Sequence, residues 1–411
     1  MADAGSLRAL LQRPGLRWLL GYRIGAMLSY QMVAVAVGWQ IYQRTGDPLA
    51  LGLIGLAEVL AYFCVAPFAG YLVDHLRRRR LGLAACAGLL LTALALLATT
   101  LPVLHRLGVW PIYLAIAITG MVRAFLTPVY MALFARVLER DQFTRGASLG
   151  SIAFTTALVT GPALGGGLVA LGGSAAAYAG AALSALIGAC CLWRLQVDDQ
   201  PPLTEHTPVL AAIAEGARFV WRTPVMLGAM ALDMFSVLLG GVVAMLPAFI
   251  SDVLAAGPQA LGLLRAAPAV GALLVGLWLA RHPPNRHAGW LLLAAVAGFG
   301  VSILGFASSR QLWTAAAFLL CYGAFDGVSV VLRQTIFQLA TPDALRGRVA
   351  SINGIFISSS NELGAFYAGS MARLLGLLPA MLLGGTAVIT VAALTAWRNP
   401  TLRRLHIEQL R

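Results

Sequence analysis

Apolar residues fill this chain in long unbroken runs, and polar ones collect in the short gaps between them. A helix that crosses a bilayer needs about 20 consecutive apolar residues. Runs of that kind lie near 17–42, 49–73, 81–101, 110–136, 147–171, 174–195, 226–250, 260–280, 289–307, 311–338, 349–374 and 377–397. They are about twice the length of a barrel strand and do not alternate, so strands are excluded as the spanning element. The pattern predicts an all-α membrane protein of about twelve crossings. The first run is too long for a cleavable signal peptide and leads directly into the next span.

The break after the sixth run is the widest, from Gln196 to Thr207, with Asp198, Asp199, Pro201 and Pro202. Beyond it, Val209, Ile213, Gly216 and Val220 share one helical face while Glu215, Arg218 and Arg222 lie elsewhere, as in a helix resting on a membrane surface. The chain therefore divides into six spans at 1–195, a cytoplasmic linker with an amphipathic helix at 196–225, and six spans with a tail at 226–411.

The two sets repeat each other. Gly25-Ala26-Met27 recurs as Gly228-Ala229-Met230, a shift of 203 residues that also pairs Gly120 with Gly323, Arg145 with Arg348 and Gly166 with Gly369. Ala50-Leu51-Gly52-Leu53 recurs as Ala260-Leu261-Gly262-Leu263 at a shift of 210. Two parallel halves of this kind enclose a substrate site near the bilayer midplane in many secondary transporters.

Composition agrees with lipid as solvent. Of 411 residues 59% are hydrophobic and 11% charged, against about 25% charged in a soluble domain. The formal net charge is +13, and every basic residue is arginine. A nucleic-acid partner would need those arginines as a stripe on a water-facing surface; here they punctuate the spans. With the N-terminus placed in the cytoplasm, twenty-one arginines fall inside and only Arg44, Arg106, Arg310 and Arg373 outside. That bias predicts both termini inside.

A few ionisable residues lie within the spans, where each costs several kcal/mol unless paired or wet. Arg23, Glu58, Arg123, Asp233, Asp326 and Glu362 are the candidates for transport or coupling. The shift of 203 carries Arg123 onto Asp326 and Tyr30 onto Asp233. A cation and an anion thus stand at equivalent positions of the two halves. Asp233 reads either as a proton carrier or as the partner of Arg23 or another arginine. Tyr30, Gln31, Trp39, Phe235, Gln334 and Asn361 could supply an amphipathic pocket. The five cysteines and the loop histidines lack metal-ligand spacing, no catalytic constellation emerges, and without lysine there is no nucleotide-binding P-loop. Neither an enzyme, a metal site nor a cofactor is expected.

Over nearly its whole length the chain resembles the major facilitator superfamily. Gly70-Tyr71-Leu72-Val73-Asp74-His75-Leu76-Arg77-Arg78-Arg79 is similar to that family's loop between spans two and three, with His75 in place of an arginine and Arg77 in place of a glycine. The resemblance makes Asp74, Arg77, Arg78 and Arg79 a cytoplasmic gate, in which Asp74 would neutralise the positive end of a facing helix. Gly161-Pro162-Ala163-Leu164-Gly165-Gly166 resembles the kinked span-five motif of exporters, placing Gly161, Pro162, Gly165 and Gly166 at a helix kink. Gly38-Trp39-Gln40-Ile41-Tyr42 and Thr341-Pro342-Asp343-Ala344-Leu345-Arg346-Gly347-Arg348-Val349 are similar to enterobactin-exporter-like members.

The resemblance implies two pseudo-symmetric six-helix bundles in the bacterial inner membrane, with Arg123 and Asp326 facing one central cavity and pairing there, directly or through water or substrate. It also implies a proton-coupled exporter, acting as a monomer, that moves a siderophore- or drug-like molecule by alternating access. Its partners would be that small molecule, protons and membrane lipid. An uncoupled or importing metabolite transporter, a lipid flippase and a non-transporting receptor are the alternative expectations.

Overall fold

A computed structural model describes residues 13–139, 142–197, 199, 209–282, 287–342 and 345–405. Among them there is no strand. A backbone in hydrocarbon must satisfy its own hydrogen bonds, and a helix does so within one segment. The elements are α1 (Pro14–Thr45), α2 (Pro48–His75), α3 (Arg78–Ala98), α4 (Trp110–Val137) and α5 (Phe143–Arg194), followed by α6 (Val209–Arg222). Then come α7 (Pro224–Leu239), α8 (Leu246–Asp252), α9 (Pro258–Arg281), α10 (Ala288–Ser308), α11 (Leu312–Ala340), α12 (Arg346–Leu375), α13 (Leu377–Arg398) and the short α14 (Pro400–Arg403).

Ten helical stretches among the described residues are long and apolar enough to cross a membrane. One of them, α5, runs for 52 residues and is two crossings joined at Gly172 and Gly173. Gly173 has φ +69° and ψ −171°, a conformation open almost only to glycine, and it lets the chain double back without a polar loop. The thirty-residue α12 is long enough to cross but carries Arg346, Arg348, Glu362 and Arg373. Taking α5 as two and adding α12 gives the twelve crossings expected. α7 and α8 form one crossing, interrupted by a 3-10 turn at Val242–Met245.

Large apolar side chains face outward all over the molecule: Leu91 is 65% exposed and Phe68 63%. Tryptophans with outward faces sit near helix ends, as Trp110, Trp193, Trp313 and Trp397 do, matching the aromatic belts of a bilayer interface. The protein is an integral, multi-pass membrane protein.

The described chain forms two compact units. One comprises Met1–Arg44, Ala57–Glu205 and Gly257–Gly262; the other comprises Thr45–Leu56, His206–Ala256 and Leu263–Arg411. The first is organised about α3, which packs on α4 and α5; in the second, α10 packs in the same way on α11 and α13. Small residues set these approaches. A Cβ on Gly25 of α1 would fall 2.7 Å from the Ser184 carbonyl of α5, so only glycine permits that crossing in lipid.

The repeat seen in sequence is also a repeat of contacts. Gly120 of α4 abuts the backbone of Glu58, and Gly323 of α11 abuts the backbone of Pro268. These pairs are related by the same two shifts, 203 for the glycines and 210 for their partners.

Candidate functional site

Each unit holds an intramembrane charge at one equivalent place, Arg123 in the first and Asp326 in the second. In the first unit Glu58 arrives on α2 against Gly120, and Arg123 follows one turn later on α4. Arg123 Nη1 lies 3.0 Å from Glu58 Oε1. The Tyr30 hydroxyl, from α1, donates to the same carboxylate oxygen at 2.9 Å and accepts from Arg123 Nη1 at 2.7 Å. One cation, one anion and one phenol close a triangle that is neutral as a whole. Tyr62 adds a ring 5.1 Å from the guanidinium carbon, within the range of a cation–π contact.

In the second unit the corresponding positions are Asp233 for Tyr30 and Asp326 for Arg123. Asp233, on α7, is buried and ion-paired with Arg333 of α11. Arg333 Nε also donates to Ser329 Oγ at 3.2 Å. Asp326 lines the same small cavity as Asp233, of about 10 Å³, together with Ser236, Val296, Phe299, Phe325 and Ser329. Two carboxylates thus line one small cavity, and a cation pairs with the Asp233 one.

Arg123 has the Glu58 carboxylate as its counter-ion within its own unit. Asp233 takes Arg333, not Arg23, as its arginine. Arg333 was not among the candidates singled out from sequence, being near the end of its span. Its spacing gives a usable signal: positions 326, 329 and 333 follow one another at helical steps of three and four, and so share a face.

Arg23 occupies a separate place in the first unit. Its guanidinium carbon stacks 3.9 Å from the centre of the Tyr130 ring and 5.1 Å from that of Phe154. With Tyr22, Ala26, Met27, Leu126 and Thr127 these residues surround a cavity of about 40 Å³. Tyr130 and Phe154 were not anticipated from sequence.

Among the pocket candidates, Trp39 is buried within the first unit. Gln31 packs along Gly161, where a Cβ would come within 2.6 Å of the Gln31 Cβ. Phe235 and Gln334 are exposed. Asn361 is exposed too, and its amide donates to the Ile357 carbonyl of its own helix at 2.8 Å; Glu362 beside it is half-buried. Gly165 packs on Met32 and Val35 of α1, and Gly166 meets the Gly262 backbone. Pro162 stands inside α5 between these contacts.

The arginine run after α2 works through the linker. The backbone N–H groups of Arg78 and Arg79, at the start of α3, donate to the two Asp199 carboxylate oxygens at 2.8 and 2.7 Å. An anion at a helix N-terminus satisfies orphan donors and complements the helix dipole. Arg79 also donates to the carbonyls of Leu192 and Trp193 at the end of α5. Arg78 is buried and Arg77 exposed. The side chain of Asp74 lies outside the described residues, as do positions 198 and 200–208 of the linker.

The chain matches the model of the Major Facilitator Superfamily over residues 19–365. It is 29% identical over 381 positions to the multidrug efflux pump Tap of Mycolicibacterium fortuitum, covering 86% of this chain and 90% of that one. It is 26% identical over 411 positions to the enterobactin exporter EntS of Escherichia coli O81 (strain ED1a), covering 97% and 95%. Among solved structures, a D-xylose–proton symporter superimposes with a TM-score of 0.74 at 13% identity, covering 96% of this chain and 98% of the other. A bacterial homologue of the lysosomal transporter Spinster, inward-facing and unoccupied, gives 0.72 at 14%, covering 94% and 97%. Twelve crossings, a two-fold repeat and charges placed by that repeat have their explanation in this kinship: the chain belongs to the Major Facilitator Superfamily and is a transporter of that fold.

Proposed function

We propose that the protein is a proton-coupled exporter of a small amphipathic molecule, siderophore- or drug-like, that works by alternating access in the bacterial inner membrane. One observation carries the coupling: Asp233, ion-paired with Arg333, and Asp326 line one cavity of about 10 Å³. With both carboxylates ionised the group holds one net negative charge in a region where charge is costly. One proton makes it neutral. The Glu58–Arg123 pair of the first unit has no such imbalance, because its two charges cancel. A proton that enters and leaves this group changes how strongly Arg333 is held, and so which arrangement of α7 and α11 is favoured.

Export as the direction is supported by the names of the efflux pump and exporter relatives and by the Gly161–Gly166 motif at the α1 contact. We place both termini in the cytoplasm, on the arginine bias, and take the working unit as a monomer in contact with lipid.

The test is flux of amphipathic fluorophores from proteoliposomes under an imposed pH gradient, in both directions. Protein with Asp326→Asn should exchange the probe down its own gradient yet ignore the proton gradient. Gradient-independent flux by the unaltered protein would overturn the coupling, and lipid movement without fluorophore movement would replace the exporter with a flippase.

A further inference from the structure

We infer that the cavity around Arg23 is an anion subsite that receives the acidic group of an amphipathic, aromatic cargo. The inference rests on reading the chain as a carrier of small amphipathic molecules, and not on its proton coupling.

The argument begins with an uncompensated charge. Arg23 lies ten residues into α1, and among the described residues no carboxylate is within ion-pair distance of it. A cation at that depth requires a partner or water. The Tyr130 and Phe154 rings meet part of that requirement by cation–π attraction, but they leave the edge donors of the guanidinium unused. Neither ring offers the strong acceptor that those N–H groups prefer.

Two more polar groups at the same cavity are also unsatisfied. Tyr22 is 1% exposed and Tyr130 3%, and neither hydroxyl has a hydrogen-bond partner among the described residues. A buried hydroxyl without a partner is costly, and native interiors rarely leave one so. Both tyrosines line the cavity with Arg23. A cation flanked by two tyrosines with unpartnered hydroxyls is matched by an anionic acceptor, such as a carboxylate or a phenolate.

The remaining walls select what is attached to that acceptor. Ala26, Met27, Leu126 and the face of Phe154 are apolar, suited to a ring or alkyl body. The volume of about 40 Å³ admits a headgroup and not a whole drug-sized molecule, which typically fills several hundred Å³. Gly150 packs directly on the Tyr130 hydroxyl: a Cβ there would come within 2.3 Å of that hydroxyl and 3.5 Å of Arg23 Nη1.

Equilibrium binding of radiolabelled benzoate to the full-length protein in detergent tests this, with benzamide as the neutral isostere. The expected result is saturable benzoate binding that Arg23→Gln weakens about tenfold or more, with benzamide a poorer competitor by a similar factor. Arg23→Lys should fall between, and Tyr130→Phe and Gly150→Ala should each weaken binding; these three keep the test open if Arg23→Gln does not fold. Benzoate binding that is absent, or indifferent to Arg23→Gln or Arg23→Lys, would overturn the inference. So would benzamide competing equally, or phosphatidylglycerol displacing benzoate at equal concentration, which would assign the cavity to lipid. Benzoate binding that survives while fluorophore flux ignores the pH gradient would fail the coupling and keep the subsite.

Discussion

Arg123 on α4 and Glu58 on α2 hold each other at 3.0 Å, with side chains 20% and 8% exposed, and the Tyr30 hydroxyl bonds both. A partly buried pair of this kind contributes little net stability relative to an apolar replacement, but losing one member strands the other.

Glu58→Gln should therefore lower the thermal midpoint of the detergent-solubilised protein, at a cost on the order of 2 kcal/mol. Glu58→Gln combined with Arg123→Met should recover most of the loss. The measurement is a double-mutant melting cycle; equal and additive losses would show that the two residues are uncoupled.

Gly120→Ala and Gly323→Ala should behave alike although they lie in different units. The added methyl would fall 2.4 Å from the Glu58 carbonyl oxygen in one case and against the Pro268 backbone in the other. Overpacking against backbone costs about 1–3 kcal/mol. Thermal melting of the two variants checks the prediction, with Gly354→Ala as the control, since a Cβ there meets nothing within 4 Å.

Asp199→Ala should cost about 1 kcal/mol, the usual loss for a helix cap, and Asp199→Asn only a few tenths, because the amide oxygen can still accept. Hydrogen exchange of the Arg78 and Arg79 amides should quicken in the alanine variant while the middle of α3 keeps its protection. Unchanged exchange at those two amides would mean that the carboxylate does not hold them in solution.

Gly173→Ala should cost about 1–3 kcal/mol, the strain of forcing an ordinary residue into that backbone conformation. Gly167→Ala, which adds a methyl into open space in the same helix, should be near neutral. Comparison of their melting midpoints separates conformational strain from packing.

Much of the architecture could be read in advance because lipid imposes a coarse rule. An apolar run of sufficient length must be a helix, and arginines collect where runs end. The shift of 203 pairs Tyr30 with Asp233 and Arg123 with Asp326, and those four positions belong to the charged clusters of the two units. Partner choice was harder. Glu58 and Arg123 are 65 residues apart, and nothing in either span says which faces meet; Gly120 determines that through a contact of backbone on backbone. Hydropathy places Arg333 near a span end, yet its guanidinium pairs with the buried Asp233 of α7. The role of Asp199 was invisible for a different reason. It is a capping carboxylate 121 residues from the Arg78 N–H that donates to it, with none of the local spacing that marks an ordinary N-cap.

The joint at Gly172 and Gly173 bears on how the protein is made. Between Arg145 and Arg194 no charged residue occurs, so a nascent chain leaving the ribosome offers the insertion machinery nearly fifty residues without a stopping point. Since the turn has no polar loop to rest in the headgroups, its two limbs are best delivered to lipid together, as a hairpin. Arg145 and Arg194 then stand at its two feet on one side of the membrane and keep it from passing through.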